Sequence, residues 1–314
     1  MKLSCVVPCY NEQENIRAFY DCVTSVFSHQ NFDYELVFVD DGSRDGTLNE
    51  LKNLVSRREC SIQVVSFSRN FGKEAAMYAG MSRAKGDLVC IIDADLQQRP
   101  EVLLQMLQIL DTKPEIDCVA AYQDRRKEGK LLSGIKSAFY KIINRMSDVD
   151  FMNGASDFRL MRRQMVNAIL EMTEYHRFSK GIFSWVGFQT VYIPYQAQPR
   201  ANGKSKWTPM KLIRYAFDGI VAFSTAPLKL ATLIGLLSSF LAIVYMIVVI
   251  VQKLAFGIDV PGYATIIVLL LLLGGLILFS LGIIGEYLAR IYVQIKSRPI
   301  YIEKAYLKTD DEAK

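Results

Sequence analysis

The chain has 314 residues, of which 51% are hydrophobic and 22% are charged, and its formal net charge is +5. This length allows one large domain or two smaller ones, and the modest positive charge suits phosphates or anionic lipid headgroups better than nucleic acid. The six cysteines form no Cys-x-x-Cys pair and only two histidines accompany them. A zinc site or a disulfide framework is therefore not expected, and buried reduced thiols are the default interpretation.

The first part of the chain alternates short apolar runs with amphipathic segments. Strands are predicted at Leu3–Pro8, Tyr34–Val39, Ile62–Phe67 and Leu88–Ile92. Helices are predicted at about 12–28, around Leu48 to Val55, at 73–84 and at 100–110. This alternation indicates an α/β domain with a mostly parallel sheet, and such sheets bind ligands beyond the carboxyl ends of their strands.

Three polar clusters follow three of these strands, namely Pro8–Glu12, Asp40–Ser43 and Asp93–Gln97. Because parallel strands end at the same edge of a sheet, the clusters predict one shared site. Asp93 and Asp95 can point the same way where the strand ends, and with Gln97 they form an all-oxygen set suited to Mg²⁺ or Mn²⁺. The alternative is that this Asp-x-Asp sequence only opens a loop and caps the helix near Pro100.

Two long apolar stretches follow, one that begins after Lys229 and runs to Gln252, and one from Val260 to Gly285. Each exceeds the roughly 20 helical residues that cross a hydrocarbon core of about 30 Å. The alternative is an unusually apolar helical hairpin in a soluble core. Basic residues are concentrated outside the two stretches, at Arg214, Lys229, Arg290, Lys296, Arg298, Lys304 and Lys308. The positive-inside rule therefore predicts a cytoplasmic N-terminal domain and a cytoplasmic C-terminal tail.

These features predict four regions. Residues 1–207 are expected to form the cytoplasmic domain, 208–226 an amphipathic interfacial segment, 227–290 a two-helix transmembrane hairpin and 291–314 a cytoplasmic tail. For the interfacial segment, an ordinary linker helix is the alternative. No Gly-x-Gly-x-x-Gly follows the first strand, and Gln198 stands where a P-loop ending in Gly203-Lys204-Ser205 would need glycine. A dinucleotide site and an ATPase site are therefore not expected.

Five motifs then occur in order. They are Pro8-x-Tyr10-Asn11-Glu12, Asp40-Asp41-Gly42-Ser43-x-Asp45-x-Thr47, Asn70-Phe71-Gly72-Lys73-Glu74, Asp93-Ala94-Asp95-Leu96-Gln97 and Asp157-Phe158-Arg159-Leu160. In this combination the chain resembles the family 2 glycosyltransferases, and among them the polyprenyl-phosphate sugar transferases. The two apolar stretches and the segment Arg200-x-x-Gly203-x-Ser205-Lys206 favour the bactoprenol branch. The resemblance implies a GT-A-type, Rossmann-like domain followed by two transmembrane helices.

The same resemblance implies roles for individual residues. A nucleoside pocket would be lined by Pro8, Tyr10, Glu12 and Asp40. The metal and the diphosphate would be surrounded by Asp93, Asp95 and Gln97. Phosphate oxygens would be bound by Arg200 and Lys206, for which attachment to the membrane surface is the alternative. Asp157 is the family's candidate base, but a phosphate monoester is largely dianionic at pH 7 and needs no base. Asp157 would then orient sugar hydroxyls or a neighbouring Arg.

The expected activity is inverting transfer of a hexose from a UDP-sugar to undecaprenyl phosphate on the cytoplasmic face of a bacterial inner membrane. Glucose is the first expectation and N-acetylglucosamine the second. The expected partners are the donor, the acceptor and the bilayer, without nucleic acid, and homo-oligomerisation is left open. The absence of a Gln-x-x-Arg-Trp sequence argues against a processive polysaccharide synthase. A catalytically silent binding scaffold and a transporter of lipid-linked sugars are the alternatives from other classes.

Overall fold

The computed structural model describes residues 1–57, 60–123, 144, 152, 154–196, 198, 218–256 and 262–309. It consists of two compact units. The first comprises Met1–Gly219 with Pro299–Lys314, and the second comprises Ile220–Arg298. Most of the predicted interfacial segment, up to residue 217, lies outside the described residues.

The first unit is built on an eight-stranded sheet flanked by helices. Its strands are β1 (Lys2–Cys9), β2 (Asp33–Asp40), β3 (Ser61–Phe67), β4 (Leu88–Ile91), β5 (Cys118–Gln123), β6 (Ala155–Arg162), β7 (Thr190–Tyr195) and β8 (Glu303–Lys308). Its helices are α1 (Gln13–Phe27), α2 (Thr47–Arg57), α3 (Lys73–Arg83), α4 (Pro100–Thr112), α5 (Arg163–Glu171) and α6 (Ser179–Trp185). The mostly parallel α/β fold expected from the sequence is confirmed.

The strand order in this sheet is β7-β5-β6-β4-β1-β2-β3-β8. Strand β1 lies parallel between β4 and β2, whereas β6 and β8 run antiparallel to their neighbours. The central strands are apolar on both faces because helices cover both sides of the sheet. On one face Phe38 packs with Phe19 of α1, and on the other Val39 packs with Ala76 of α3. The carboxyl ends of β1, β2 and β4 therefore share one edge.

The antiparallel strand β6 brings a distant part of the chain to that edge. Ile91 of β4 pairs with Arg159 of β6. Two residues beyond this pair on each strand, the same register brings Asp157 opposite Asp93. The sequence analysis did not predict β5, β6 or β7, so it could not place Asp157 beside the first part of the chain.

The last described residues return to the first unit. The sequence analysis assigned 291–314 to a tail and predicted no strand there, whereas Glu303–Lys308 forms β8 at the sheet edge beside β3. The Tyr306 hydroxyl donates to Gln63 Oε1 at 2.7 Å, and Arg83 Nη2 lies 2.8 Å from Glu303 Oε2. Charged residues are common on edge strands, which explains why the short, lysine-rich β8 lacks a strand pattern in the sequence.

The second unit contains α7 (Ala226–Phe256) and α8 (Tyr263–Ile295). Within them, Ala226–Gln252 and Thr265–Ile295 have mean hydropathies of 2.7 and 3.0, and their most apolar windows are not buried inside the protein. By length and composition, both helices could cross a membrane. The two predicted apolar helices are thus confirmed as helices, and the second extends to Ile295, past the predicted end of the hairpin at residue 290.

Candidate active site

The first two polar clusters are joined by hydrogen bonds between the loops after β1 and β2. Asn11 N donates to Ser43 Oγ at 2.9 Å, and Arg44 N donates to Asn11 Oδ1 at 2.9 Å. Glu12 N donates to Thr47 Oγ1, also at 2.9 Å. Asn11 has a φ of 52°, a left-handed conformation that Asn tolerates better than most residues. The loop carrying Tyr10 and Glu12 is therefore held against the loop after β2, as the prediction of a shared site requires.

Asp40 and Asp41 use their carboxylates to hold neighbouring segments. Asp40 is 1% exposed, and its oxygens accept hydrogen bonds from Ser43 N at 3.0 Å and Ser66 Oγ at 2.8 Å. Asp41 accepts hydrogen bonds from Phe71 N at 2.6 Å and Gly72 N at 2.9 Å. Burial, only partly offset by these two amides, raises the pKa of Asp41 to about 6. These bonds fix the turn after β2 and the start of α3.

The anchored start of α3 brings a basic residue to the sheet edge. Gly72 has a φ of 99°, a conformation that L side chains rarely adopt, and α3 begins with Lys73 immediately after it. Because Asp41 binds the Gly72 amide, the backbone position of Lys73 is fixed from β2. Asn70-Phe71-Gly72-Lys73-Glu74 carried no assigned role in the sequence analysis.

Lys73 bridges two carboxylates of the predicted site that lie far apart in the sequence, Asp93 and Asp157. Its Nζ lies 2.7 Å from Asp93 Oδ1, 3.0 Å from Asp93 Oδ2 and 2.8 Å from Asp157 Oδ2. The side chain of Asp157 is 17% exposed and that of Lys73 is 40% exposed. Burial disfavours the charged forms, but Lys73 outweighs it and holds the pKa of Asp157 well below its usual range. In the same way, Asp157 and Asp93 raise the pKa of Lys73.

The turn formed by Asp95, Leu96 and Gln97 comes directly after Asp93 and Ala94 in the chain. Leu96 has a φ of 57°, which is strained for a bulky residue, and Gln97 N donates to Asp95 Oδ1 at 3.2 Å. Gln98, which the sequence analysis did not select, is buried, and its side chain donates to Asp93 Oδ2 at 3.2 Å and accepts from Asp93 N at 3.0 Å. The turn is thus fixed at two points, with Asp93 and Asp95 on either side of Ala94.

The oxygen chemistry of this turn fits a magnesium-type ion. Mg²⁺ in proteins usually takes one or two carboxylates, several waters and substrate phosphates. Asp93, Asp95 and Gln97 supply two carboxylates and an amide. Within the described residues, no group of three or more His, Cys, Asp or Glu side chains forms a separate metal cluster. The set of Asp93, Asp95 and Gln97 has only two such side chains, and it stays a prediction.

A cavity of about 230 Å³ adjoins Lys73, with a lining that includes Glu74, Tyr175, His176 and Arg177. Glu74 accepts hydrogen bonds from the backbone amide of Ser179 at 2.9 Å and from its hydroxyl. Burial and the nearby Asp157 raise the pKa of Glu74 to about 7. The Arg177 guanidinium lies 4.6 Å from the centre of the Tyr78 ring. No local sequence signal marks this cavity, since its walls come from α3 and from residues about a hundred positions later.

The structure places most of the predicted site residues at one edge of the sheet. Pro8, Tyr10 and Glu12 are partly exposed there, and Asp40 is buried beside them. Arg200 and Lys206 lie outside the described residues. Gln198, however, is described, and its backbone amide donates to Gln97 O at 3.1 Å. The chain thus leaves the described part near the Asp95–Gln97 turn, two residues before Arg200.

Comparisons with known proteins agree with this architecture. Residues 4–170 match the glycosyl transferase family 2 model, and residues 226–291 match the GtrB C-terminal hairpin model. A protein of Bacillus subtilis (strain 168) that bears a glycosyltransferase name, CsbB, is 42% identical over 96% of this chain and 91% of its own length. The SfII prophage-derived bactoprenol glucosyl transferase of Shigella flexneri is 39% identical over 97% of this chain and 98% of its own.

A second bactoprenol-named relative comes from Escherichia coli (strain K12). This prophage bactoprenol glucosyl transferase homolog is 38% identical over 98% of this chain and 100% of its own. Among solved structures, mannosyl-3-phosphoglycerate synthase from Rubrobacter xylanophilus is 18% identical over 69% of this chain and 71% of that chain, with a TM-score of 0.48.

The family model covers more than half of the chain, and the relatives match nearly all of it. The chain therefore belongs to glycosyltransferase family 2, carries the GtrB-type C-terminal hairpin and is a glycosyltransferase.

Proposed function

We propose that this enzyme transfers a hexose, with glucose as first choice, from a UDP-sugar to the phosphate of undecaprenyl phosphate. The observation that carries the proposal is the meeting of Lys73, Asp93 and Asp157 at the sheet edge where β4 ends and β6 begins. Relatives named as bactoprenol glucosyl transferases match the chain from end to end and support the choice of acceptor. N-acetylglucosamine is the second candidate for the transferred sugar.

The donor would lie along the loops that follow β1, β2 and β4. Pro8, Tyr10 and Glu12 are exposed enough to line a nucleoside pocket, whereas Asp40 lies beneath them with its oxygens already bonded to Ser43 and Ser66. A carboxylate oxygen has two lone-pair sites, so Asp40 can accept a further hydrogen bond from a ribose hydroxyl or a base N–H.

The diphosphate would lie beside the Asp95–Gln97 turn. Asp93, Asp95 and Gln97 would hold Mg²⁺ or Mn²⁺, which would neutralise charge on the departing UDP. Arg200 or Lys206 would add positive charge on the phosphate oxygens, by a planar fork and by a point charge respectively. The hydrogen bond between Gln198 and Gln97 supports this role for the 200–206 segment, because it keeps the entry to that segment near the turn.

Asp157 would orient sugar hydroxyls or a neighbouring Arg rather than accept a proton. Its carboxylate is ion-paired with Lys73 and its pKa is lowered, so it is a weak base at neutral pH. The acceptor phosphate is largely dianionic at pH 7 and can attack the anomeric carbon without losing a proton. A single displacement inverts the configuration at that carbon.

The acceptor is a lipid, and the two apolar helices α7 and α8 would anchor the enzyme in the same bilayer. The basic residues that flank the two apolar stretches favour a cytoplasmic catalytic domain. This gives a multi-pass protein of the bacterial inner membrane with its site on the cytoplasmic side.

The decisive experiment is product analysis with purified full-length enzyme, undecaprenyl phosphate and a panel of UDP-sugars. We expect a β-linked glucosyl phospholipid from UDP-glucose, release of UDP and a requirement for Mg²⁺ or Mn²⁺. Transfer from UDP-N-acetylglucosamine alone would change the sugar but keep the reaction. Donor binding without any transfer or hydrolysis would instead favour the silent scaffold, and movement of lipid-linked sugar across liposomes would favour the transporter.

A further inference from the structure

Lys73 occupies the part of the site where the proposed metal would bind. Its ammonium lies within hydrogen-bond distance of both Asp93 oxygens, at 2.7 and 3.0 Å. Gln98 donates to the second of these oxygens at 3.2 Å. Both Asp93 oxygens therefore already accept a hydrogen bond from the Lys73 ammonium, and the second accepts one from Gln98 as well.

A divalent ion and this ammonium cannot share Asp93 at low energy. Magnesium binds carboxylate oxygens at about 2.0–2.1 Å. An ammonium that stays on the same carboxylate would then lie within a few ångströms of the ion, where two positive charges repel strongly in a partly buried site. Gln98 is neutral and buried, so Lys73 is the donor that the ion displaces.

The surroundings of Lys73 allow that displacement without moving the backbone. Asp41 fixes the turn before it through the Gly72 amide at 2.9 Å, whereas the Lys73 side chain is 40% exposed on a flexible stem. Asp157 Oδ2 lies 2.8 Å from Nζ and can keep the ammonium once Asp93 releases it. The adjoining cavity, lined in part by Glu74 and His176, gives the side chain room to turn.

We propose that Lys73 is a positioning residue that holds Asp93 until the metal arrives, is displaced by it, and then remains on Asp157 as a cation facing the reacting phosphate. The proposal rests on the metal site assigned above. If Lys73 acts in this way, binding of the metal to Asp93 and retention of the Lys73 ammonium on Asp157 occur in one step. Before the metal binds, the positive charge of Lys73 keeps Asp93 and Asp157 from repelling each other.

The test is a titration of metal-free, full-length protein in detergent with Mn²⁺, in which free Mn²⁺ is followed by electron paramagnetic resonance without nucleotide. Because an ion pair that competes with the metal is removed, Lys73→Met should bind Mn²⁺ roughly fivefold more tightly than the unmodified protein. Lys73→Gln, a second neutral variant, should behave alike. Lys52→Met removes the same charge from an exposed position on α2 and should leave the affinity unchanged.

Unchanged or weaker Mn²⁺ binding by both neutral Lys73 variants, with a normal circular dichroism spectrum, would overturn the proposal. Asp93→Asn separates this failure from that of the metal site itself. If Asp93→Asn weakens Mn²⁺ binding while the Lys73 variants do not strengthen it, only the displacement is wrong. If Asp93→Asn has no effect, the metal assignment also fails. Turnover adds a second readout: Lys73→Met should need less Mn²⁺ for half-maximal rate while its maximal rate falls.

Discussion

At the scale of single residues, the acidic groups near the sheet edge divide by what their oxygens contact. Asp40 and Asp41 accept hydrogen bonds from backbone amides and a serine, and so hold the loops in place. Asp93 and Asp157 share one lysine. Asp95 accepts a hydrogen bond from the neighbouring amide of Gln97, and it is partly exposed. Substitutions of Asp41 should therefore act mainly on folding, and those of Asp93, Asp95 and Asp157 on activity. Substitution of Asp40 should affect both, because Asp40 is also proposed to bind the nucleoside.

Asp95→Asn should lower turnover by at least about 100-fold without unfolding the protein. The amide oxygen of Asn can still accept the hydrogen bond from Gln97 N, but the charge that would hold a divalent ion is lost. The measurement is initial rate against Mg²⁺ concentration, with Asp111→Asn on the exposed side of α4 as a control of equal charge change. A normal rate and a normal metal requirement in Asp95→Asn would show that the ion is held elsewhere.

Glu74 should make the stability of the first unit depend on pH. Burial raises its pKa from an ordinary value of 4.5 to about 7, so the folded state retains a proton that the unfolded state loses. The stability from this group is fully present below about pH 4.5 and is lost as the pH rises through about 7. The Glu74→Gln variant keeps an oxygen that accepts the hydrogen bond from Ser179, but it has no carboxyl group at this position to gain or lose a proton.

We therefore expect the thermal midpoint of Glu74→Gln minus that of the unmodified protein to rise by roughly 3–6 °C between pH 5 and pH 7.5. Glu14→Gln, an exposed substitution on α1, is the matched control and should follow the unmodified protein across this range. A constant difference between Glu74→Gln and the unmodified protein would mean that the buried carboxyl does not titrate there.

At the scale of elements, the contribution of β8 to stability can be measured by truncating the chain. It pairs with β3 along the sheet edge, and beyond it Ile62 N donates to Thr309 Oγ1 at 3.1 Å. Removing residues 299–314 should lower the thermal midpoint by at least about 5 °C and promote aggregation, because the edge of β3 loses its partner. Removing only 310–314 keeps these contacts and should change neither quantity. Equal stability of both truncations would show that β8 contributes little.

The sequence predicts β1 to β4 and α1 to α4 well because each has a plain apolar pattern and a polar loop at its end. The strand β6 contains Asp157, Arg159 and Arg162 among its eight residues, so its pattern hides a strand that is buried in the middle of the sheet. Because β6 was not predicted, the contact between Lys73 and Asp157 in the site was not predicted either. Asp93, Asp95 and Gln97 are adjacent in sequence, whereas Lys73 meets Asp157 only through the pairing of β4 with β6.

At the scale of the whole molecule, the chain leaves the first unit before α7 and re-enters it after α8. Residues 303–308 pair with β3, so the catalytic domain and the segment after α8 must lie on the same side of any membrane that the two helices cross. An even number of crossings satisfies this requirement, and a single crossing does not. The basic residues that flank the two apolar stretches predict that this side is the cytoplasm.

We therefore expect a cysteine at Gly257, between the helices, to react with a membrane-impermeant thiol reagent added to intact cells. A cysteine at Lys304, which is exposed on β8, should react only after the cells are opened. Thr309 would be a poor probe because it is 8% exposed and hydrogen-bonded to Ile62. No disulfide joins the six native cysteines, all of which lie in the described residues, and replacing them provides the background. Labelling at Lys304 but not at Gly257 in intact cells would place the catalytic domain outside, and labelling at both would mean that α7 and α8 do not each cross the membrane.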